Sequence, residues 1–159
     1  MKRKCGIKWM NVNISAPNLT VICINRIQGE NFIGRIYHKF SETAIEFGNI
    51  EQILLVIDRL CDKIGYPQRT TKPRQFQSGN ITERREEVLQ VADSNTILEQ
   101  KGSIGTFVVH VKYRQHSTWQ GEVVWAEKGE KKSFRSALEL LKLIDGALES
   151  DTEIEEGGA

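Results

Sequence analysis

The sequence resembles itself when it is shifted by the 87 positions that separate Phe47 from Phe134, and the alignment needs no gap. Identical pairs such as Asp58 and Asp145 are few, but most other pairs are similar in kind, with aliphatic residues aligned to aliphatic residues. An internal repeat constrains the architecture strongly, because two similar sequences are expected to adopt the same local fold. The chain is therefore predicted to contain one structural unit twice.

Both copies predict three strands followed by one helix. Each copy has two runs rich in β-branched residues, joined by a short polar turn, and a third short run that ends at a phenylalanine. The predicted strands are Leu19–Ile27, Phe32–Phe40 and a short strand ending at Phe47, and in the second copy Thr106–Arg114, Trp119–Glu127 and a short strand ending at Phe134.

The helix of each copy has a recognisable start. Asn49 and Ser136 are residue types that commonly cap a helix N-terminus. Gln52 and Glu139 follow three positions later, which is the spacing of a capping box. Apolar residues then recur every three to four positions, as expected for a helix that covers a sheet.

We predict an α/β chain of the α+β type, in which two tandem β-β-β-α units form one pseudo-symmetric body and helices cover antiparallel sheet. A three-stranded sheet with one helix is small to be stable alone, so the two units are expected to share a core. The predicted boundaries are 1–66 for the first unit, 67–104 for a basic loop plus a short connecting helix over Thr82–Val91, 105–149 for the second unit, and 150–159 for a disordered acidic tail.

Strand alternation assigns the residues of the second copy to two faces. The apolar face is predicted to meet the helix, so Trp119 and Trp125 are expected in the core or at its edge; this face carries Phe107, Val109, Val111, Tyr113, Trp119, Gly121, Val123 and Trp125. The opposite face is predicted to meet solvent or a ligand, and it carries Val108, His110, Lys112, Arg114, Gln120, Glu122, Val124 and Ala126.

The corresponding outward face of the first copy is more apolar. A contiguous apolar surface is usually buried by another element or by a partner. We therefore expect either the Thr82–Val91 helix or a partner molecule to pack on this face. The face carries Val21, Cys23, Asn25, Ile27, Ile33, Arg35, Tyr37 and Lys39.

The composition indicates a globular cytoplasmic protein. Hydrophobic residues make up 39% and charged residues 27% of the chain, which argues against a disordered or membrane-embedded protein. No apolar run approaches the roughly 20 residues that a membrane-spanning helix needs. The three cysteines have no CxxC spacing, which fits a reducing compartment.

No motif in the sequence indicates an enzyme. The three histidines, His38, His110 and His116, have no metal-ligand spacing, and the HExxH, GxSxG and P-loop motifs are absent. We therefore predict a protein without catalytic residues, cofactor or metal.

Three resemblances accompany this interpretation. The pattern RQxxxWQGxVxW…FRSxLELLxLID, over Arg114–Trp125 and Phe134–Asp145, resembles a group of small uncharacterised proteins from Gram-positive bacteria, which implies a bacterial setting and a compact α/β unit. A helix before three strands, with Lys131–Lys132 before the last helix, resembles the double-stranded-RNA-binding domain and implies phosphate contacts. The segment His116–Gly121 resembles the PilZ motif in outline, which implies a cyclic dinucleotide.

The sequence favours a non-enzymatic binding or regulatory protein whose partner is another protein or a second copy of itself. The alternatives are binding of RNA or DNA through the outer sheet face and the basic loop, and sensing of a cyclic dinucleotide. The candidate binding residues on the hairpins are Arg35, Tyr37, His110, Lys112, Arg114, His116 and Ser117, and those in the basic loop are Arg69, Lys72 and Arg74.

Overall fold

The described residues have a mixed α+β fold with one six-stranded antiparallel sheet and three helices. The computed structural model describes residues 13, 15–70, 76, 89–116 and 118–156. The strands are β1 Thr20–Gln28, β2 Asn31–His38, β3 Ile45–Phe47, β4 Gly105–Tyr113, β5 Gln120–Trp125 and β6 Glu130–Phe134. The helices are α1 Ile50–Ile64, α2 Ser94–Leu98 and α3 Ala137–Glu156. All six predicted strands are present, with ends that differ by a few residues from the predicted ones.

The two central strands of the sheet join its two sides. The strand order is β3-β2-β1-β4-β5-β6, so β1 pairs with β4 and every other pairing is between consecutive strands. The β1–β4 register runs from Thr20 opposite Val109 to Ile24 opposite Gly105. We call β1–β3 with α1 the first half of the molecule, and β4–β6 with α3 the second half.

Each half has a β-bulge at the same position. The pairing of β1 with β2 shifts between Ile24 and Arg26, and the pairing of β4 with β5 shifts between Val111 and Tyr113, which lie 87 positions further along. A bulge places two residues opposite one and changes the faces to which the following side chains point. The residues after each bulge therefore do not follow the alternation of the residues before it.

A glycine lies beside each bulge because the strands approach closely there. Gly34 is opposite Phe47, and Gly121 is opposite Phe134. A Cβ atom at Gly34 would collide with the backbone carbonyl of the neighbouring β1, and one at Gly121 would collide with the backbone of β4 and the Phe134 ring. Any larger residue at these positions would force the sheet apart.

The predicted helix caps are confirmed. The Asn49 side chain accepts a hydrogen bond from the Gln52 backbone N–H at 3.0 Å, and Ser136 Oγ accepts one from the Glu139 N–H at 3.1 Å. Helix α1 ends at Gly65, whose left-handed backbone (φ 67°) favours glycine.

Helix α3 continues to Glu156. The prediction of a disordered tail is therefore wrong for residues 150–156, which are helical. The prediction of disorder rested on the acidic composition of this segment. An acidic segment can, however, extend a helix whose earlier turns are already stabilised by packing. Residues 157–159 lie outside the described residues.

The main core lies between the sheet and the two long helices. Large side chains of both halves meet in it, and Trp119 and Trp125 pack partly buried against it, as predicted. The Trp125 ring is stacked on Phe107 with the ring centroids 6.2 Å apart. The fully buried members include Ile22, Ile24, Ile36, Ile53, Ile57, Phe107, Phe134, Leu140 and Ile144.

Part of the other face of the sheet is also buried, so the expectation that this face meets solvent in the second copy is wrong there. Val108, His110, Val124 and Ala126 are all buried. Alternation correctly separates the two faces of β4 up to its bulge, but it does not say which of them is covered.

The cover of this face comes from within the chain. Ile97 and Leu98 of α2 pack on it and form a second cluster with Leu19, Val21 and Cys23. The predicted helix over Thr82–Val91 lies mostly outside the described residues, and residues 89–91 are not helical. The expected internal cover therefore includes a later and shorter helix than the sequence indicated.

Candidate functional site

Four charged side chains form a cluster where the C-terminal part of α1 meets the end of β4. Arg114 Nη1 lies 2.6 Å from Asp62 Oδ1, and Arg114 Nε donates to the Pro67 carbonyl at 2.7 Å. Arg69 donates to Asp58 Oδ2 at 2.6 Å and to Asp62 Oδ1 at 2.9 Å. We call this cluster of Asp58, Asp62, Arg69 and Arg114 the closed end.

The bulge in β4 directs Arg114 into the closed end. Alternation placed Tyr113 toward the helices and Arg114 on the outer face, but Lys112 is the extra residue of the bulge. The Tyr113 side chain is instead 56% exposed, whereas Arg114 is 4% exposed beneath α1. The predicted faces of these two residues are therefore wrong.

The segment after α1 completes the closed end. Arg69 forms a parallel bridge with Arg114, and the Thr70 N–H donates to the Arg114 carbonyl at 3.4 Å. Thr70 Oγ1 in turn accepts a hydrogen bond from the His116 N–H at 3.1 Å. This segment, Tyr66–Thr70, therefore lies beside the end of β4 and adds its own arginine to the cluster.

The two arginines set the ionisation of the closed end. Partial burial alone would raise the pKa of Asp62, but hydrogen bonds and charge attraction from Arg69 and Arg114 outweigh it and hold that pKa below its usual value. Asp62 is therefore a carboxylate at neutral pH, and the arginines have fixed internal partners.

The region that corresponds to the closed end after the shift of 87 residues, where α3 meets the end of β1, is an open groove. It has a volume of about 820 Å³ and lies between the β1–β2 hairpin, the start of α1 and the middle of α3. We call it the open end. Its lining residues are Ile27, Gly29, Glu30, Phe32, Ile50, Leu141, Lys142, Asp145, Leu148 and Glu149.

The open end has the carboxylates of the closed end without the arginines. Asp145 and Glu149 occupy the positions on α3 that Asp58 and Asp62 occupy on α1, 87 residues earlier. Ile27, which is 40% exposed, stands at the position of Arg114. Within the part of the chain that the structure describes, neither carboxylate has a basic side chain within 4 Å.

The remaining candidate residues are dispersed over the fold. Lys112 and Lys131 both pair with Glu122, at 2.8 and 3.3 Å, and Arg35 lies 3.8 Å from Glu46 on the surface. Tyr37 packs partly buried against the second cluster. Lys72, Arg74 and Ser117 lie outside the described residues.

Two of the three histidines are buried. Burial lowers the pKa of His38 to about 4, and the nearby Lys63 charge adds to this effect. Burial also lowers the pKa of His110, as does Lys112, against the opposing charge of Glu122. Neither ring nitrogen of His110 has a hydrogen-bond partner among the residues that the structure describes. His116 instead lies in the exposed β4–β5 turn with φ 53°.

Two general findings limit the chemistry of the described residues. They contain no group of three or more His, Cys, Asp or Glu side chains placed to hold a metal ion. None of their helices combines the length and apolarity that crossing a membrane requires.

Comparisons with known protein families, with curated protein sequences and with solved structures find no match. The resemblance to small proteins of Gram-positive bacteria therefore stays a prediction. What the molecule offers as evidence on function is its own geometry.

Sequence reasoning missed the open end, although a signal was present. Each predicted helix carries an acidic pair four residues apart at matching positions of the repeat, Asp58 and Asp62 in one and Asp145 and Glu149 in the other. Residues four apart share a helix face. The strand residues at matching positions are Arg114 and Ile27, so the sequence offers an arginine near one pair and an isoleucine near the other.

Proposed function

We propose that this protein is a non-enzymatic binding protein that acts through contact with another protein, and that the open end is its binding site. The observation that carries the proposal is the groove of about 820 Å³, which combines an apolar floor with rim carboxylates that form no ion pair with another described residue. Phe32 and Leu148 form the buried part of this floor. An apolar centre with a polar rim is the usual composition of a protein-binding surface.

We further propose that the two halves arose by duplication of one β-β-β-α unit. Support comes from features that recur at the same spacing of 87 residues and are costly to change, namely the bulges, the adjoining glycines Gly34 and Gly121, and the helix caps. A left-handed residue also recurs in the first hairpin turn of each half, as Gly29 and His116. Duplication provides a second, spare copy of each surface, and one copy can then change.

The charges favour a protein partner over a nucleic acid or a cyclic dinucleotide. Both alternatives require cations that are free to meet phosphate. Arg69 and Arg114 are held by Asp58 and Asp62, and Lys112 is held by Glu122. The open end is moreover acidic at its rim and would repel phosphate.

A photo-crosslinking experiment tests the proposal. Benzoylphenylalanine is introduced at Lys142, an exposed position on the rim of the open end, and separately at Lys132, an exposed position on β6. After irradiation in cells that make the protein naturally, mass spectrometry identifies the crosslinked species. We expect one defined protein adduct from Lys142 and none from Lys132.

Light scattering on the purified protein then distinguishes a second copy of the chain from a different partner. A nucleic-acid adduct without a protein adduct, or identical adducts from both positions, would contradict the proposal.

A further inference from the structure

We infer that the open end receives an extended segment of the partner protein that carries an arginine, in the way that the chain's own segment Tyr66–Thr70 and Arg114 fill the closed end. This inference rests on the proposed function and specifies the chemistry of the partner. It follows from three differences between the two ends of the molecule.

The first difference concerns the carboxylates. At the closed end, the acidic pair of α1 is satisfied by two guanidinium groups, one from β4 and one from the segment after α1. At the open end, Asp145 and Glu149 of α3 line the groove with the same spacing, and no arginine among the described residues forms an ion pair with them. Glu30 adds a third carboxylate to the rim and Lys142 one cation, so the lining favours a positively charged group.

The second difference concerns the strand itself. Ile27 replaces Arg114, which removes the buried cation and leaves an apolar side chain that is 40% exposed. An isoleucine cannot pair with the carboxylates, but it can pack against the hydrocarbon part of an incoming arginine. Long basic side chains commonly bury their methylene groups in this way.

The third difference concerns the backbone. At the closed end, the bridge between Arg69 and Arg114 pairs the Tyr66–Thr70 segment with the end of β4. At the open end, β1 pairs with β4 only from Thr20 to Ile24. Among the described residues no strand lies beside Arg26–Gln28 on that side, because α3 continues as a helix where α1 has already ended. An extended segment can therefore add to this edge.

Arginine suits the groove better than lysine. Its planar guanidinium can donate to two carboxylates at once, as Arg69 does with Asp58 and Asp62. The closed end thus shows which cation this arrangement of strand and helix accommodates.

A fluorescent peptide with the sequence of residues 65–70, GYPQRT, is a suitable probe because it reproduces the segment that fills the closed end. Its binding to the full chain is measured by fluorescence anisotropy. The Asp145→Asn/Glu149→Gln variant is expected to weaken binding at least about tenfold, because charge-assisted hydrogen bonds are lost. The Glu99→Gln/Glu130→Gln variant removes the same charge from exposed sites elsewhere and is expected to change binding by less than about twofold.

A second variant restores the missing arginine within the chain. Ile27→Arg places a guanidinium where Arg114 stands in the other half, so it is expected to occupy the carboxylates, abolish peptide binding and raise the melting temperature. A peptide with citrulline in place of arginine keeps the shape and removes the charge, and it tests the protein without any substitution. We expect it to bind at least about tenfold more weakly than the arginine peptide.

Three outcomes would overturn the inference. They are equal binding of the arginine and citrulline peptides, unchanged binding by the Asp145→Asn/Glu149→Gln variant, and binding of free arginine amide as tight as that of the peptide. If the peptide fails in this way while crosslinks from Lys142 to a protein persist, the proposed function stands and only the partner chemistry is wrong. Absence of those crosslinks contradicts the function itself.

Discussion

The closed and open ends are built from matching elements, but they differ in what neutralises the helix carboxylates. At the closed end, Arg114 is 4% exposed and its charge is matched within the chain. At the open end, Ile27 leaves the corresponding carboxylates facing a groove. The comparison indicates that the residue at the end of the strand, together with the segment that follows the helix, decides whether such a carboxylate pair joins two elements or faces a groove.

The closed end also explains how the two halves are held in register. Arg114 directly follows β4 of the second half, whereas its carboxylate partners lie on α1 of the first half. Asn18 reinforces the same junction by donating to the Val111 carbonyl at 2.8 Å. Polar contacts of this kind fix one placement of the two halves relative to each other. Apolar packing alone is less specific.

The largest expected effect tests whether the halves are equivalent. Gly34→Ala and Gly121→Ala each force a Cβ into the backbone of a neighbouring strand. We expect both substitutions to lower the free energy of unfolding by about 3 kcal/mol or more, and by similar amounts. Urea denaturation measures the two changes. A small effect at one glycine alone would break the equivalence of the two sheets.

Removing the arginine of the closed end should have the next largest effect. Arg114→Ala removes the hydrogen bond to the Pro67 carbonyl and one of the hydrogen bonds to Asp62, which keeps Arg69 as a donor. We expect a loss of about 2–3 kcal/mol in the free energy of unfolding, because buried polar groups lose a partner. Arg35→Ala is the matched control, because its pair with Glu46 is exposed, and it should cost less than about 0.5 kcal/mol. Similar small changes in both variants would show that the closed end is not a structural junction.

The two halves should contribute differently to the pH dependence of stability. The first half has the titratable His38 at the position where the second half has Trp125, 87 residues later. The folded-state pKa of His38 is about 4, below the ordinary value of 6.5, so the unfolded chain binds a proton first as the pH falls. The contribution of His38 to stability is therefore present above pH 6.5 and is lost progressively toward pH 4. At pH 5 the loss should be about 2 kcal/mol.

Chemical denaturation between pH 7.5 and pH 5 measures this loss. The Phe40 N–H donates to His38 Nδ1 at 3.1 Å. His38→Asn removes the titrating ring and keeps a side-chain acceptor for this N–H. The variant should show a shallower pH dependence. The remaining slope should reflect His110, whose pKa is lowered in the same direction. An unchanged slope in His38→Asn would assign the acid sensitivity elsewhere.

The smallest expected effect concerns the first hairpin turn of each half. Gly29 has φ 63° with open space around it, and His116 adopts a similar backbone with φ 53°. Gly29→Ala should destabilise the protein by about 1 kcal/mol, because an L-residue is strained there. His116→Gly should stabilise it by about 0.5 kcal/mol. Thermal melting compares the two, and shifts of the same sign would show that the turns differ in conformation.

The repeat and the caps made most of the fold predictable. Asn49 and Ser136 identified the helix starts, and the shared pattern gave the order of the strands, because local sequence is sufficient for both. The packing of Trp119 and Trp125 at the core edge followed from alternation.

The site was less predictable because it depends on two features that alternation does not show. A bulge at Lys112 exchanges the sides of Tyr113 and Arg114, and nothing in a two-residue period marks it. The cover by Ile97 and Leu98 depends on a five-residue helix, too short to produce a helical pattern of its own. The candidate list therefore contained Arg114 as a ligand-binding residue and omitted Asp145 and Glu149.

The central strand pairing has a consequence for fragments of the chain. Val21 lies opposite Val108, and these residues occupy the same place in their two halves. The register is thus self-complementary. Thr20 lies opposite Val109, and their counterparts in the other halves, Phe107 and Ile22, also lie opposite each other. A polypeptide containing the second half alone would expose the edge of β4 in a register suited to another copy of itself. We expect such a fragment to assemble as an isologous dimer with Val108 against Val108.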